Sequence, residues 1–283
     1  MEENKKILIV GNGYLGNKFH DYFKESFISN SKILSQKDAV LEIEKYSPNF
    51  LINCAGKTGR PNIDWCEDHK KETFESNVLL PINLAKACEK TKTNLIHLGS
   101  GCIYEGDNNG KGFSETDEPN FYGSFYSITK NLSEELLKEY NPLQLRLRMP
   151  IDSDLGPRNF VTKISTYKKV INIQNSMTIV EDMLKATQIL MEKKKTGIYN
   201  LVNPETISHK EILRLYTDLI NPNHKYEEIT LDELHSFTKA KRSNCVLDTK
   251  KLESEIKLPS IKTQVKKILE KHKNEKAKGP QKH

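Results

Sequence analysis

Short apolar runs alternate along the chain with longer segments in which apolar residues recur at helical spacing. This alternation is typical of parallel βαβ units, because a strand covered by helices on both faces is apolar throughout. The predicted strands are 6–10, 27–34, 50–54, 94–99 and 143–148, and the predicted helices are 14–27, 65–90 and 124–140. The pattern therefore predicts an α/β fold built on a doubly wound parallel sheet.

The regular alternation stops after residue 148. Residues 149–160 contain two prolines and a glycine, as expected where a chain leaves a sheet. Further strands are predicted at 169–173 and 197–202, and further helices at 180–194 and 208–219. We therefore expect a first domain of residues 1–150, to which segment 168–203 returns, and a smaller, interleaved C-terminal domain formed mainly by residues 151–270.

The net charge of +6 comes from the C-terminal end of the chain. Residues 262–283 contain eight lysines and two acidic residues, whereas residues 1–261 contain 36 basic and 36 acidic residues. A basic groove that binds nucleic acid is therefore not expected. We predict that residues 271–283 form a disordered basic tail and that activity does not depend on the residues after Leu269.

The five cysteines are widely spaced and include no Cys-x-x-Cys pair, which argues against a disulfide framework and a zinc site. The apolar run Ile7–Val10 is too short for a signal peptide or for a membrane span of about 20 residues. We therefore expect a reduced, cytoplasmic protein with no membrane partner. The acids of segment 64–69 lie where a helix begins, which explains them without a metal ion.

A glycine-rich turn, Gly11-Asn12-Gly13-Tyr14-Leu15-Gly16, directly follows the first predicted strand and opens the first helix. In this G-x-G-x-x-G pattern the first glycine permits a tight turn, the second admits a pyrophosphate and the third lets the helix approach the strand. The free N–H groups of the helix N-terminus favour phosphate. The turn therefore predicts a dinucleotide cofactor.

The segment that follows the second predicted strand favours NADPH. An NAD site usually places an acid about 20 residues after the glycine turn, but segment 30–37 contains none. Ser31, Lys32 and Lys37 are placed instead to receive a 2′-phosphate. NADH remains an alternative, because lysines are frequent throughout this chain.

Tyr126 and Lys130 lie four residues apart on a predicted helix and therefore on one face. A tyrosine titrates near pH 10 in water, so a nearby cation is expected to lower the pKa of Tyr126. Ser100 ends the fourth predicted strand, and the carboxyl ends of parallel strands face the cofactor crevice. The three residues therefore predict a carbonyl reductase site.

The resemblance to the extended short-chain dehydrogenase/reductase superfamily is carried by the glycine turn, Asn53-Cys54-Ala55-Gly56, Ser100 and the Tyr126/Lys130 pair. It implies a Rossmann-type sheet that binds NADP and a smaller substrate-binding domain. Longer motifs, from Lys6 to Lys267, resemble the UDP-4-keto-6-deoxy-glucose 3,5-epimerase/4-reductases of plants and giant DNA viruses, which complete UDP-L-rhamnose. These motifs are 58–67, 101–103, 123–127, 148–151, 157–160, 175–178 and 242–244.

The resemblance also implies roles for individual residues. Cys102, two residues after Ser100, and Lys163 would be the acid/base pair that epimerises C3 and C5, the carbons next to the ketone. Asn53, Cys54, Ala55 and Gly56 would join the glycine turn in holding the cofactor. The residues implied to contact the substrate are Arg60, Asn62, Asp64, Asn77, Asn159 and Arg242, the last presenting its planar fork to the diphosphate.

The sequence leaves two alternatives to the epimerase/reductase. The chain is a 4-reductase only, similar to dTDP-4-dehydrorhamnose reductase, or it is an NADP-binding regulatory subunit without turnover. Cys102 and Lys163 argue against the first, and the intact Ser100/Tyr126/Lys130 set argues against the second. A UDP-linked substrate is favoured over a dTDP-linked one by resemblance alone, and a homodimer is left open.

Overall fold

The computed structural model describes residues 6–277, which form a central sheet of six parallel strands with helices on both faces. The strands are β1 Ile7–Val10, β2 Ser26–Ser29, β3 Phe50–Asn53, β4 Asn94–Ser100, β5 Leu143–Leu147, β6 Lys169–Val170, β7 Gly197–Asn200 and β8 Glu227–Glu228. The central sheet has the order β2-β1-β3-β4-β5-β7. The chain thus reverses direction across the sheet at the β1/β3 boundary, and the predicted Rossmann-type α/β fold is confirmed.

Twelve α-helices lie between and after these strands within the described residues. They are α1 Tyr14–Tyr22, α2 Gln36–Tyr46, α3 Asp64–Asp68, α4 Lys70–Phe74, α5 Leu80–Thr91, α6 Phe125–Leu137, α7 Phe160–Ile164, α8 Val180–Glu192, α9 His209–Leu219, α10 Leu231–Ser236, α11 Lys250–Glu253 and α12 Ile261–Ala277. A π-helical segment, Glu75–Leu79, joins α4 to α5, and a 3₁₀ turn, Lys138–Tyr140, follows α6. No described helix is long and apolar enough to cross a membrane.

Alternate side chains of each central strand enter two different cores. On β1, Ile7 and Ile9 pack with α1 and α8, whereas Leu8 and Val10 pack with α2 and α5. A third core lies outside the sheet and joins α7, α9 and α12 through residues such as Val161. The molecule therefore has one core on each face of the central sheet and a third core in its C-terminal part.

Three helical regions of the N-terminal half differ between the sequence prediction and the structure. The first helix ends at Tyr22 rather than at residue 27, because Ser26 begins β2 and donates its hydroxyl to the Phe23 carbonyl oxygen at 2.6 Å. Helix α2 was not predicted, although Ser35 and Asp38 form its capping box. The predicted helix 65–90 is four pieces, because His69 has non-helical dihedral angles and the backbone then passes through the π-helical segment.

The late strands divide between the two parts of the molecule. β7 completes the central sheet next to β5, whereas β6 pairs with β8 in a separate two-stranded sheet. Val170 of β6 belongs to the C-terminal core. Within the segment of about 168–203 that is predicted to return to the first domain, β7 thus lies in the central sheet and β6 outside it, and the predicted domain boundaries stay predictions.

The predicted disordered tail is wrong for residues 271–277, which continue α12. Val265 and Leu269 anchor this helix in the C-terminal core, and the ring Nε2 of His272 lies 2.6 Å from the Ser153 carbonyl oxygen. The helix therefore continues past Leu269, its last residue in the C-terminal core, as far as Ala277. Residues 278–283 of the predicted tail lie outside the described residues.

Candidate active site

The glycine turn has the geometry of a phosphate cradle. Gly11 has φ +110°, and a Cβ there would lie 2.5 Å from the Ala55 backbone nitrogen. A Cβ on Gly16 would lie 2.0 Å from the Gly11 carbonyl oxygen, whereas one on Gly13 would meet nothing within 4 Å. The first and third glycines are thus fixed by the packing of protein backbone, and the second leaves open space. No side chain caps α1, so its first N–H groups face that space.

A cavity of about 260 Å³ continues from this turn along the edge of the sheet. It is lined by Val10, Gly11, Asn12, Ser29, Asn30, Ser31, Ile33, Ala55 and Leu80. Lys32, predicted to bind the cofactor, is exposed and is not among the lining residues. The sequence analysis missed Glu42, a buried residue of α2 that accepts hydrogen bonds from the hydroxyls of Ser29 and Ser31, each at 2.7 Å.

The side chains of the other predicted cofactor-binding residues serve mainly to hold the turn. The Tyr14 hydroxyl donates to Asp152 at 2.5 Å, and Lys18 pairs with the same carboxylate at 2.6 Å, so α1 is tied to the C-terminal part. The Asn53 side-chain oxygen accepts from the Ala55 N–H at 3.1 Å. Burial raises the pKa of Cys54, which therefore stays a thiol.

Helix α6 carries Tyr126 and Lys130 to the carboxyl end of β4, where Ser100 is buried. Ser124 caps the helix by accepting from the Ser127 N–H at 3.1 Å. Burial raises the pKa of Tyr126, an effect increased by Cys102 and opposed by a hydrogen bond with Ser100. The expected lowering of the Tyr126 pKa is therefore wrong for this arrangement, because desolvation exceeds every favourable contact, and the hydroxyl keeps its proton.

Lys130 is anchored to β4 rather than to Tyr126. Its Nζ donates to the Leu98 carbonyl oxygen at 2.9 Å and lies 3.4 Å from Nε2 of His97. Burial lowers the pKa of Lys130 to about 8, and burial together with the Lys130 charge holds the pKa of His97 well below its usual range. The sequence analysis missed His97, whose other ring nitrogen lies 3.0 Å from the Asn53 side-chain nitrogen. The pairing of β3 with β4, in which Asn53 faces His97, is the signal that locates it.

The segment after β4 places Cys102 beside the reductase residues. The Cys102 backbone N–H donates to Ser100 Oγ at 3.1 Å, and the half-buried sulfur accepts from Arg148 at 2.9 Å. Arg148 directly follows β5, the next strand of the sheet. The motif 148–151 thus places its arginine beside Cys102 at the carboxyl end of the sheet.

Lys163 lies on α7, half-buried at the other wall of the crevice. Its Nζ donates to the Pro61 carbonyl oxygen at 3.1 Å. Burial lowers the pKa of Lys163, and the charges of Arg242 and Arg158 lower it further. Arg242 pairs with Asp64 at 2.8 Å, so Asp64 orients the guanidinium that was predicted to meet a diphosphate.

Three predicted substrate-binding asparagines instead hold backbone. The Asn62 side-chain oxygen accepts from the Asp64 N–H at 2.8 Å. Asn77, in the π-helical segment, is buried and bonds both the N–H and the carbonyl oxygen of Lys57, at 2.7 and 3.0 Å. Asn159 is fully buried, caps α7 and donates to the carbonyl oxygen of Asp152 at 2.6 Å. A direct substrate contact does not fit Asn77 or Asn159.

Two further features complete the site. Arg60 is exposed in the loop before α3, at the open side of the crevice. Among residues 6–277 no group of three or more His, Cys, Asp or Glu side chains is arranged to hold a metal ion.

A Rossmann-type sheet with this glycine turn and a Ser100/Tyr126/Lys130 set defines a reductase of the short-chain dehydrogenase/reductase type. The model of the RmlD substrate binding domain family matches residues 5–274, and the chain belongs to that family.

The chain is 46% identical over 241 residues to the bifunctional dTDP-4-dehydrorhamnose 3,5-epimerase/dTDP-4-dehydrorhamnose reductase of Arabidopsis thaliana, covering 82% of this chain and 80% of that protein. It is 43% identical over 270 residues to an Arabidopsis trifunctional UDP-glucose 4,6-dehydratase/UDP-4-keto-6-deoxy-D-glucose 3,5-epimerase/UDP-4-keto-L-rhamnose-reductase. That match covers 91% of this chain and 40% of the relative. The resemblance found in the sequence is thus confirmed, and the chain is an enzyme.

Solved structures agree with this assignment. The L780 UDP-rhamnose synthase of Acanthamoeba polyphaga mimivirus has a TM-score of 0.90 and 35% identity, covering 94% of this chain and 99% of that one. The dTDP-4-dehydrorhamnose reductase of Bacillus anthracis, solved in complex with NADP, has a TM-score of 0.81 and 19% identity, covering 97% and 99%. The second likeness shows the shared fold.

Proposed function

We propose that this enzyme converts UDP-4-keto-6-deoxy-D-glucose to UDP-L-rhamnose by inverting C3 and C5 and then reducing the C4 ketone with NADPH. The observation that carries the proposal is the 3.1 Å hydrogen bond from the Cys102 N–H to Ser100 Oγ. This backbone contact holds the residue that bears the thiol beside the reductase serine at the end of β4. A reductase alone has no use for that thiol.

The epimerase step depends on two groups that face the sugar from different elements. The C–H bonds at C3 and C5 are acidic, because the resulting anion is delocalised into the C4 ketone as an enolate. Inversion needs a base on one face of the ring and an acid on the other. Cys102 follows β4, and Lys163 belongs to α7 in the C-terminal core. The lowered pKa of Lys163 favours proton transfer near neutral pH.

The reductase step uses Ser100, Tyr126 and Lys130. The nicotinamide, when bound, supplies the hydride for C4. The hydroxyls of Ser100 and Tyr126 stabilise the negative charge that develops on O4, and Tyr126 donates its proton there. Burial keeps the Tyr126 hydroxyl protonated, as a proton donor requires. The Lys130 ammonium then favours the return of a proton to the tyrosinate.

The residues of the glycine turn fit an NADP cofactor. Gly13 leaves room at the uncapped N-terminus of α1 for the pyrophosphate, and the adjoining 260 Å³ cavity fits an adenosine moiety. Ser31, beside the exposed Lys32, is the group we expect to meet the 2′-phosphate. Glu42 accepts from the Ser31 hydroxyl, so NADH is the competitor to measure. The ratio of kcat/KM for NADPH and NADH tests this preference.

An absorbance assay tests the proposed reaction. The purified chain is mixed with NADPH and UDP-4-keto-6-deoxy-D-glucose, and NADPH oxidation is expected without any added enzyme. Oxidation only after a separate 3,5-epimerase is added would make the chain a reductase alone. No oxidation under either condition would leave an NADP-binding regulatory protein. The dTDP-linked substrate, run in parallel, compares kcat/KM for the two nucleotides.

Variants separate the two half-reactions. Cys102→Ala and Lys163→Met are expected to lose most of the C3 and C5 inversion, about a hundredfold or more, because each removes a general acid or base. Both are expected to reduce UDP-4-keto-L-rhamnose, which is already inverted, at near the original rate. Lys168→Met, which changes an exposed lysine just after α7, is the control.

We further propose a homodimer that forms through the outer face of α6. Ile128, Leu132 and Leu136 are spaced four residues apart and are 40%, 39% and 42% exposed. Sedimentation of the unmodified chain is expected to show a dimer, and Leu132→Glu is expected to show a monomer. A monomeric unmodified chain would contradict this assembly.

The cytoplasm is the compartment that fits the proposed chemistry. All five cysteines are free thiols. A reducing compartment keeps the Cys102 sulfur reduced, as the epimerase step needs.

A further inference from the structure

Arg148 is a fully buried cation whose partners are all neutral groups or sulfur. One terminal nitrogen donates to Cys102 Sγ at 2.9 Å and to Ser243 Oγ at 3.1 Å. The other donates to Asn175 Oδ1 at 2.5 Å and to the Ser243 carbonyl oxygen at 3.2 Å. Its Nε is buried without a partner. Within residues 6–277, Arg148 forms no ion pair with a carboxylate.

Arg146, two residues earlier, is a buried arginine whose charge is balanced by a carboxylate. Its Nε and a terminal nitrogen donate to the two carboxylate oxygens of Glu134 at 2.8 and 2.7 Å. Burying a charge is costly unless an opposite charge accompanies it. Arg148 has no such carboxylate. The thiol of Cys102 lies 2.9 Å from its terminal nitrogen, and a thiol is able to lose its proton and carry a negative charge.

The guanidinium is held so that it cannot turn away from the sulfur. Asn175 Oδ1 also accepts from the Cys245 N–H at 3.1 Å, and its amide nitrogen donates to Asn244 at 3.0 Å. Ser243 Oγ in turn donates to the Tyr104 carbonyl oxygen at 2.6 Å. A side chain at position 101 would lie 2.9 Å from Arg148 Cδ, so the arginine stem is packed tightly as well. The motifs 148–151, 175–178 and 242–244 thus converge on Cys102.

We propose that Arg148 is the counter-ion of a Cys102 thiolate and thereby makes Cys102 the base of the epimerase step. The thiolate takes the proton from C5 or C3 and becomes a thiol, while the C–H electron pair moves into the enolate. The Lys163 ammonium returns a proton to the opposite face of the carbon and becomes an amine. Exchange with solvent then restores both groups. The catalytic part of this inference rests on the proposed function, whereas the ion pair does not.

Other titratable groups around the pair do not replace Arg148. Tyr126 and Lys130 face Cys102 from α6, and Cys245 faces it from the segment after Arg242. Burial, with the Arg148 charge, lowers the pKa of His209 to about 4, so that ring is neutral near pH 7. Burial lowers the pKa of Lys130 to about 8, which makes its charge vary with pH. Arg148 is the cation whose charge stays fixed.

Alkylation of Cys102 in the folded chain tests the ion pair directly. The rate of iodoacetamide reaction at Cys102, measured by peptide mass spectrometry, is compared between the unmodified chain and Arg148→Met. At about pH 6 the variant is expected to react at least tenfold more slowly, and the difference is expected to close at about pH 9, because only the thiolate reacts. Equal rates at both pH values would overturn the proposal. Arg214→Met, which removes an exposed arginine of α9, is the matched control and is expected to react as the unmodified chain does.

A second measurement needs no arginine variant, in case Arg148→Met does not fold. The ultraviolet absorbance of a thiolate is followed during acid titration of the unmodified chain and of Cys102→Ser. A difference between them that persists below about pH 7 is expected, because a free thiol is protonated there. No difference at that pH would refute the ion pair.

Deuterium exchange into the substrate tests whether Arg148 acts in the epimerase step. Arg148→Met is expected to slow deuterium incorporation at C3 and C5 from D₂O at least tenfold and to leave reduction of UDP-4-keto-L-rhamnose within about threefold. An equal loss of both steps would mean that Arg148 has only a structural role. If the unmodified chain incorporates no deuterium, the proposed function fails, and the alkylation result still decides whether the ion pair exists.

Discussion

Tyr126 is half-buried beside Ser100, and its hydroxyl is the proposed proton donor of the reductase step. Tyr126→Phe removes this donor and is expected to lower the rate of NADPH oxidation by about 10²- to 10⁴-fold. Deuterium incorporation at C3 and C5 is expected to continue, because it depends on Cys102 and Lys163. Tyr122→Phe, which changes an exposed tyrosine bonded to the Pro119 carbonyl oxygen, is the control. Unchanged NADPH oxidation in Tyr126→Phe would exclude the assigned donor.

Lys130 gives the reductase a pH dependence with a definite sign. Burial lowers its pKa to about 8, so Lys130 is a cation below that pH and a neutral amine above it. Proton return to Tyr126 needs the cation. We therefore expect kcat/KM for reduction of UDP-4-keto-L-rhamnose to fall as the pH rises through about 8. Lys130→Met is expected to be slower throughout and to lose this decline. A decline of the same size in the variant would assign the pH dependence to another group.

At the scale of elements, the π-helical segment 75–79 matters because it brings Asn77 under the loop that carries Lys57. The Asn77 amide satisfies both backbone groups of Lys57, which lie between the cofactor turn and α3. Asn77→Leu removes the partner of the part-buried Lys57 N–H and leaves the Lys57 carbonyl oxygen only the 3.9 Å contact from Cys66 Sγ, so it is expected to lower the free energy of unfolding by about 1–3 kcal/mol.

The control for that prediction is Asn94→Leu. Asn94 is exposed and donates to the Asn49 carbonyl oxygen at 3.0 Å, where water is able to replace it, so a change within about 0.5 kcal/mol is expected. Urea unfolding of both variants provides the comparison. Equal stability of the two variants would show that Asn77 does not support the loop.

The elements that sequence reasoning locates are those whose signals are local. The run Ile7–Val10 and the glycine turn after it predict β1, the cradle and the start of α1. Ser35 and Asp38 form a capping box, which is a local signal for the start of α2, although the sequence prediction did not include that helix. In contrast, the break at His69 and the π-helical segment lie where the chain packs against α6. Such packing between distant segments leaves no pattern in the local sequence.

The residues of the site divide in the same way. Ser100 and the Tyr126/Lys130 pair were predicted from spacing and lie at one end of the sheet. His97, Glu42 and Arg148 were not assigned to the site, because each is recruited by a contact between distant segments. Asn159 shows the converse: its motif suggested a ligand, but the side chain caps a helix. A resemblance therefore predicts where a motif lies in the fold better than it predicts what each residue of the motif does.

At the scale of the whole molecule, the described part of the basic C-terminal end, residues 262–277, belongs to α12. Truncation after Leu269 keeps the buried residues Val265 and Leu269 and removes the contact of His272 with Ser153. We expect the rate of NADPH oxidation to be unchanged and the free energy of unfolding to fall by about 1 kcal/mol.

Activity and thermal unfolding of that truncated chain, measured beside a chain truncated after Ala277, check this expectation. The longer chain retains all of α12 and is expected to match the unmodified protein in both measurements. A large loss of NADPH oxidation after truncation at Leu269 would mean that the basic end takes part in the reaction.

The central claim is that one chain inverts two carbons and reduces a third. The most direct measurement is NMR of the product made in D₂O from UDP-4-keto-6-deoxy-D-glucose and NADPH. The account predicts UDP-L-rhamnose with deuterium at both C3 and C5 and with the hydride from NADPH at C4. A UDP-6-deoxy sugar that keeps the D-configuration and carries no deuterium at C3 or C5 would contradict it.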